Sequence, residues 1–220
     1  FAIGFRNSKE IRFYSPDLKM TGKVTLDAVP TGIATDSSCE KIVVTLNKPD
    51  KIVAIEPGSC QIIAESPAPS GICSPVFDSV QKRIYTCNRW KNSISAFDAN
   101  TLEQIWEVKV EREPSSAIFD EERGILYASN QFTREPANNE KVHTYISLLD
   151  VQNKGKIIKN IKMDSGYNNY KGMALSPDGK TIAVVHNLAK FFQGTFQVEW
   201  GWMNSSYVTF ISTEKQALQY

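Results

Sequence analysis

The sequence predicts an all-β protein made of repeated four-stranded units, and three observations support this. An asparagine closes a short apolar run five times, at intervals of 40, 41, 42 and 57 residues; the copies are Asn7, Asn47, Asn88, Asn130 and Asn187. An alternating apolar run follows each asparagine, and two further short runs complete each repeat. No stretch has helical periodicity. Four short strands in every ~42 residues are the signature of a β-propeller blade.

Each element of the repeat follows from its own residues. The first run ends at asparagine, which tolerates the left-handed conformation and can close a strand before a tight turn. The second run alternates, as in residues 52–55 and 94–97, and the third is short, as in residues 61–63. The fourth run enters a turn that contains an acid; these acids are Asp36, Asp78, Asp120 and Asp178. We expect the asparagines to be structural, because five copies spaced around a propeller cannot converge on one site.

The runs amount to roughly nineteen strands in about five blades, and the first blade lacks its inner strand. Phe1 opens inside strand-like sequence and Tyr220 ends inside it. We therefore expect a single β-propeller domain over residues 1–220, an incomplete arc of a ring of six to eight blades, with seven as the expected number. The chain is then a fragment, and the missing leader is no argument for the cytoplasm.

The composition excludes several classes of protein. Of the 220 residues, 41% are apolar and 22% are charged, which excludes global disorder. Lysine and arginine number 25 against 24 acids, a balance that argues against a nucleic-acid binder. No apolar run approaches the ~20 residues of a membrane-spanning helix, so no membrane span is expected.

Three strands carry a resemblance to a known family. Residues 43–47 (Val-Val-Thr-Leu-Asn), 84–88 (Ile-Tyr-Thr-Cys-Asn) and 126–130 (Leu-Tyr-Ala-Ser-Asn) resemble the Tyr-Val-Thr-Asn strand that names the YVTN class of β-propellers. Residues 174–180 are similar to the inner strand and turn of that class. Residues 200–211 are similar to a stretch of YVTN propellers that accompany di-haem, cytochrome c peroxidase-like domains, among them the β subunits of the hydrazine synthase family.

The resemblance implies a non-catalytic propeller subunit of a multihaem oxidoreductase complex, one that joins nitric oxide and ammonium to hydrazine. Its partners would be haem-bearing subunits of the same complex. Its compartment would be exported or organelle-like and oxidising: the periplasm, or the anammoxosome for a hydrazine synthase. Two alternatives stay open, because propellers host many functions. One is an exported binding or surface-layer-like propeller without a redox partner; the other is a propeller hydrolase or lyase, which the lack of converging catalytic groups disfavours.

No cofactor, metal or catalytic residues are expected in this chain. Covalent c-type haem needs Cys-x-x-Cys-His, and no cysteine has that spacing or is followed by histidine, so c-type haem is expected only in partner subunits. His143 and His186 are too few for a zinc site, and we expect each to be a solvated loop residue.

The four cysteines suggest one disulfide. Cys73 and Cys87 are expected to face each other across antiparallel strands, within reach of a bond that an oxidising compartment permits. Two buried free thiols are the alternative. Cys39 and Cys60 would lie in turns of one blade, too far apart to pair.

Function is expected where the chain departs from its repeat. Insertions at 131–144 and 188–203 follow the same blade edge and should project from one face. Long loops in compact domains are usually functional or disordered, and five aromatic residues argue against disorder in the second insertion. Clustered aromatic residues are typical of interfaces. The predicted partner interface comprises Trp90, Arg134, His143, Phe191, Phe192, Phe196, Trp200, Trp202 and Met203. The aromatic residues could alternatively cap the propeller's own core or line a small-molecule pocket.

Overall fold

The structure is a computed structural model that describes residues 1–136, 138–190 and 204–219. The described residues form nineteen strands in five antiparallel sheets and one 3-10 turn, Arg89–Lys91. The chain divides into two compact units, Phe1–Val108 and Lys109–Tyr220, and each is described by itself. No helix in the described part is long and apolar enough to cross a membrane.

The first unit holds three sheets whose strands follow one another in chain order. The first sheet has three strands, β1 (Ala2–Phe5), β2 (Glu10–Tyr14) and β3 (Met20–Thr25). The second has four, β4 (Val29–Thr35), β5 (Ile42–Asn47), β6 (Lys51–Glu56) and β7 (Gln61–Pro67). The third has β8 (Ile72–Asp78), β9 (Arg83–Asn88), β10 (Ser93–Asp98) and β11 (Gln104–Lys109).

The second unit holds two sheets of the same kind. The fourth sheet comprises β12 (Pro114–Asp120), β13 (Ile125–Asn130), β14 (Tyr145–Asp150) and β15 (Lys156–Lys162). The fifth comprises β16 (Tyr167–Leu175), β17 (Thr181–Ala189), β18 (Asn204–Ser212) and β19 (Ala217–Gln219). The predicted fold class is confirmed: the chain is an all-β propeller with about five blades, and the first blade lacks its inner strand. The single domain and the seven-bladed ring stay predictions.

Two of the repeated asparagines, Asn88 and Asn130, join the second strand of a blade to the third. The buried Asn88 side chain donates from Nδ2 to the hydroxyls of Ser93 and Ser95, at 3.0 and 2.8 Å. In the fourth sheet, Asn130 Nδ2 donates to the Tyr145 carbonyl at 2.9 Å and to Ser147 Oγ at 3.0 Å. Each such bond contributes about 1 kcal/mol net. These asparagines are structural, as predicted.

Neighbouring sheets within a unit pack through apolar side chains that alternate along the strands. In the first unit, Ile11 and Phe13 of the first sheet pack with Val44 and Val53 of the second. In the second unit, the core of the fourth and fifth sheets includes Tyr127, Ile146, Leu148, Ile182, Val184 and Ile211. This burial follows the period-2 pattern, since alternate residues of a strand point to opposite faces.

The backbones of the second and third sheets also approach each other closely at Gly32. A Cβ at Gly32 would lie 2.4 Å from Pro75 Cδ and 2.9 Å from the Ser74 nitrogen. Thr31 Oγ1, beside it, donates to the Ile72 carbonyl at 2.8 Å. Only a residue without a side chain fits there, so Gly32 sets the approach of the two sheets.

Cys73 and Cys87 lie directly opposite each other in the β8–β9 register. Both are buried and both are thiols in the structure. Burial raises the pKa of Cys73 to about 11 and holds the pKa of Cys87 well above its usual value. The opposed placement matches the predicted hairpin, and the disulfide itself stays a prediction. Cys39 and Cys60 lie in the β4–β5 and β6–β7 connections.

The second insertion was predicted over residues 188–203, but β17 continues to Ala189 and the insertion begins after it. Leu188 and Ala189 belong to β17, where they pair with Ser205 and Asn204 of β18. The hairpin is longer than in the other blades because these pairs extend its ladder. Residues 191–203 lie outside the described residues.

Candidate partner interface

The bases of the two insertions are linked by backbone hydrogen bonds in the second unit. The turn between β15 and β16 lies between them: the Gly166 N–H donates to the Val142 carbonyl at 3.2 Å, and the Ala189 N–H donates to the Gly166 carbonyl at 2.9 Å. The Met163 N–H donates to the Thr144 carbonyl at 3.0 Å. The end of the 131–144 segment and the last residue of β17 therefore lie at the same end of the unit.

A buried carboxylate fixes the 131–144 segment to the fourth sheet. Glu111 is only 7% exposed. Arg134 forms an ion pair with it and donates to it from Nε, and Asn160 Nδ2 of β15 donates to Glu111 Oε1 at 3.2 Å. A buried carboxylate needs such partners, because burying an unpaired charge is costly. Glu111 precedes β12 and β13 in the chain, so the segment is held by a residue two strands earlier.

Further contacts hold the same segment from its other side. The Arg134 guanidinium lies 5.3 Å from the centroid of the Tyr145 ring. Glu135 accepts hydrogen bonds from the Tyr145 hydroxyl at 3.3 Å and from the His143 N–H at 3.1 Å. Partial burial raises the pKa of Glu135, but hydrogen bonds, first that from the His143 N–H, outweigh it, and the pKa is lowered. The pKa of Tyr145 is raised, first by burial and then by the nearby Glu135 charge.

The outer surface of this segment exposes an aromatic ring. Phe132 is 48% exposed, and the Arg112 guanidinium lies 5.7 Å from its ring centroid. Arg112 Nη1 also donates to the Thr133 carbonyl at 3.1 Å. Arginine and aromatic side chains are the residue types enriched where interfaces bind most strongly. Phe132 of the segment and Arg112, which precedes β12, therefore form an arginine–aromatic pair at the surface.

His186 lies at the centre of an aromatic cluster in the fifth sheet. It is fully buried, with its ring centroid 4.1 Å from that of Tyr167 and 5.6 Å from that of Tyr170. Its Nε2 is 2.8 Å from Thr209 Oγ1. Burial lowers the pKa of His186. The expectation of a solvated loop histidine is wrong here, because β17 extends past residue 186 and turns its side chain toward the core.

The predicted interface residues fall into three groups. Arg134 and His143 both contact the hydrogen-bonded pair of Glu135 and Tyr145: the Arg134 guanidinium lies near the Tyr145 ring, and the His143 N–H donates to Glu135. Trp90 lies in the first unit, in the β9–β10 connection, where its 54% exposed indole packs on Gly71. The other residues lie outside the described residues: Phe191, Phe192, Phe196, Trp200, Trp202 and Met203.

No sequence signal marks Glu111, which lies in a short charged stretch, residues 111–113, that is typical of a surface turn. Asn160 was equally hidden, since it stands between two lysine-containing runs of an outer strand. Within residues 1–136, 138–190 and 204–219, no three His, Cys, Asp or Glu side chains are grouped to hold a metal ion.

Comparison with known proteins shows the fold. No family model and no curated protein matches the sequence. Among solved structures, Kuenenia stuttgartiensis hydrazine synthase matches with a TM-score of 0.78 and 21% identity, over 93% of this chain and 57% of that one. A functionally unknown protein from Desulfotomaculum acetoxidans matches with a TM-score of 0.71 and 14% identity, over 100% of this chain and 64% of that one.

A third match is the dihydro-heme d1 dehydrogenase NirN in complex with DHE, with a TM-score of 0.68 and 10% identity, over 100% of this chain and 42% of that one. The chain thus spans less than two thirds of each of these three structures. At these identities the likeness is one of fold, and it extends over nearly the whole of the described propeller.

Proposed function

We propose that this chain belongs to a non-catalytic propeller subunit of a multihaem oxidoreductase complex, of the hydrazine synthase β type. The YVTN-like strands and the similarity of residues 200–211 to haem-associated propellers support the proposal. The fold similarity to hydrazine synthase and to a dihydro-heme dehydrogenase agrees with it. In this proposal haem belongs to the partner subunits, and the complex works in an exported or organelle-like oxidising compartment.

The 131–144 segment is the element we assign to docking. The observation that carries this assignment is its fixation: an insertion that served only as a spacer would not need a buried carboxylate, an ion pair and a stacked tyrosine to hold it. A loop ordered before binding loses less conformational entropy when a partner arrives. Phe132, half exposed beside Arg112, is then the side chain that contacts the haem-bearing subunit.

Purification of the tagged full-length protein from its native host tests this function. The purified complex should show the Soret absorbance of c-type haem, while the chain produced alone should be colourless. Phe132→Ala should reduce the haem recovered per tagged chain. Lys156→Ala, an exposed change at the other end of the same sheet, should leave it unchanged. A full-length native protein that is a colourless monomer would support the exported binding propeller instead.

A further inference from the structure

The third sheet contains a buried tyrosine whose hydroxyl is hydrogen-bonded to two charged side chains. Tyr85 of β9 is fully buried, and its hydroxyl donates to Oδ2 of Asp78, the last residue of β8, at 2.8 Å. Asp78 is only 1% exposed, and its Oδ1 accepts the Gln81 N–H at 2.9 Å. The Arg83 side chain forms a further hydrogen bond with the phenol. Burial and the nearby carboxylate raise the pKa of Tyr85, so the phenol is neutral and has a proton acceptor already in place.

A tryptophan lies against this tyrosine. The ring centroid of Trp106, in β11, is 5.8 Å from that of Tyr85, with 28° between the two ring planes. Trp106 is 9% exposed, so of the two residues it is the one that meets solvent. Its buried indole Nε1 has no hydrogen-bond partner within the described part of the chain. An oxidised indole in this position therefore keeps its N–H proton, and in that form it is a stronger oxidant than the deprotonated radical.

The fourth sheet repeats the spacing of this tyrosine but not its arrangement. Tyr127 follows Asp120 by seven residues, as Tyr85 follows Asp78. There the Asp120 carboxylate pairs with Arg123 at 3.0 Å, and the buried Tyr127 hydroxyl has no hydrogen-bond partner among the described residues. The bond between phenol and carboxylate is thus a feature of the third sheet and not a requirement of the repeat.

We propose that Trp106 and Tyr85 form a redox site that takes up one oxidising equivalent from a small oxidising radical in solution. The radical removes one electron from Trp106 and is itself reduced. The indole radical cation then takes an electron from Tyr85, whose phenolic proton moves along the existing hydrogen bond to Asp78. The products are a restored Trp106, a neutral phenoxyl radical and a neutral carboxylic acid, so the buried phenol never carries an unpaired positive charge. This activity goes beyond the proposed function.

Pulse radiolysis of the chain in azide solution tests this site. The azide radical oxidises tryptophan and is reduced to azide. The indole radical should then convert into a phenoxyl radical, which absorbs at a different wavelength, at a rate that does not depend on protein concentration. Tyr85→Phe and Trp106→Phe each keep an aromatic ring, and each should remove this kinetic phase. Tyr127→Phe and Trp90→Phe are the matched controls and should retain it.

The role of the carboxylate has its own readouts. Asp78→Asn keeps an oxygen that accepts the phenol hydrogen bond but takes up no proton. It should slow the conversion by about 100-fold or more, as expected for loss of a positioned proton acceptor. In the unmodified chain the rate should not change with buffer concentration, because the acceptor lies within the protein. A purely structural hydrogen bond would affect stability and would move neither rate.

A measurement that keeps the hydroxyl covers the case in which Tyr85→Phe does not fold. Fluorotyrosine in place of Tyr85 preserves the phenol, and the frozen radical should show fluorine hyperfine splitting by electron paramagnetic resonance. Four results would overturn the proposal: no conversion of indole to phenoxyl radical, a phase unchanged in Tyr85→Phe or Trp106→Phe, an unchanged rate in Asp78→Asn, or a radical without fluorine splitting. The oxidant is added, so none of these results bears on haem-bearing partners, and the two proposals fail separately.

Discussion

The pairing of Arg134 with Glu111 predicts an unequal response to removing either partner. The Arg134 side chain is 58% exposed, while that of Glu111 is only 8% exposed. Arg134→Ala leaves a buried carboxylate with only the Asn160 amide among its described partners. Removing one partner of a buried ion pair lowers the free energy of unfolding by about 3–5 kcal/mol. Because the Arg134 side chain is partly in water, we expect Arg134→Ala to lower it by about 2–3 kcal/mol.

Glu111→Gln should lower the free energy of unfolding much less. It leaves the guanidinium half in water, and the loss should resemble that of a surface pair, about 0.5–1 kcal/mol. The double variant should be more stable than Arg134→Ala alone, since the stranded charge is gone. Urea unfolding of the four proteins gives these free energies directly. Equal losses from the two single changes, or losses that simply add, would refute the view that burial of Glu111 is what holds the segment.

A pH series adds a second check on the same pair. Burial without a cationic partner favours the protonated form of a carboxyl group. In Arg134→Ala the folded chain should bind that proton more readily than the unfolded chain, so its stability should rise relative to wild type as the pH falls from about 7 to about 5. A stability gap that stays constant with pH would contradict this.

Three further predictions concern the scaffold. Gly32→Ala should lower the free energy of unfolding by about 1–3 kcal/mol through overlap with the next sheet, while Gly58→Ala, which meets no atom within 4 Å, should change it by less than about 0.5 kcal/mol in urea unfolding. The lowered pKa of His186 means that the folded chain binds fewer protons than the unfolded chain, so stability is lost as the pH falls from about 7 to about 5; His186→Gln should flatten that decline, and an unchanged slope would contradict the assignment. Thiol labelling of denatured, unreduced protein from an oxidising compartment should leave Cys73 and Cys87 unmodified, and labelling of both would show that they remain thiols.

The sequence was informative where structure is local. The repeat of asparagine-terminated strands predicted the blades, because Asn88 and Asn130 perform their roles within one hairpin. The facing positions of Cys73 and Cys87 followed from the same hairpin geometry. Such features depend on residues a few positions apart, and strand alternation determines them.

The site was predicted less completely, because its determinants are distant in the chain. Glu111 is buried by Arg134 and Asn160, which follow it by 23 and 49 residues. Nothing in the stretch around Glu111 distinguishes it from an exposed acid. His186 was misplaced for a similar reason: its burial depends on β18 and on Tyr167, which only the folded sheet brings to it.

The backbone bonds through Gly166 have a consequence for sequence divergence. Main-chain N–H and C=O groups set the separation of the two long connections, at Val142 and at Ala189. Side chains at those positions are not part of that link. Side-chain changes at Val142, Gly166 and Ala189 that keep the backbone conformation therefore leave these bonds in place, and the distance between the two attachment points is preserved.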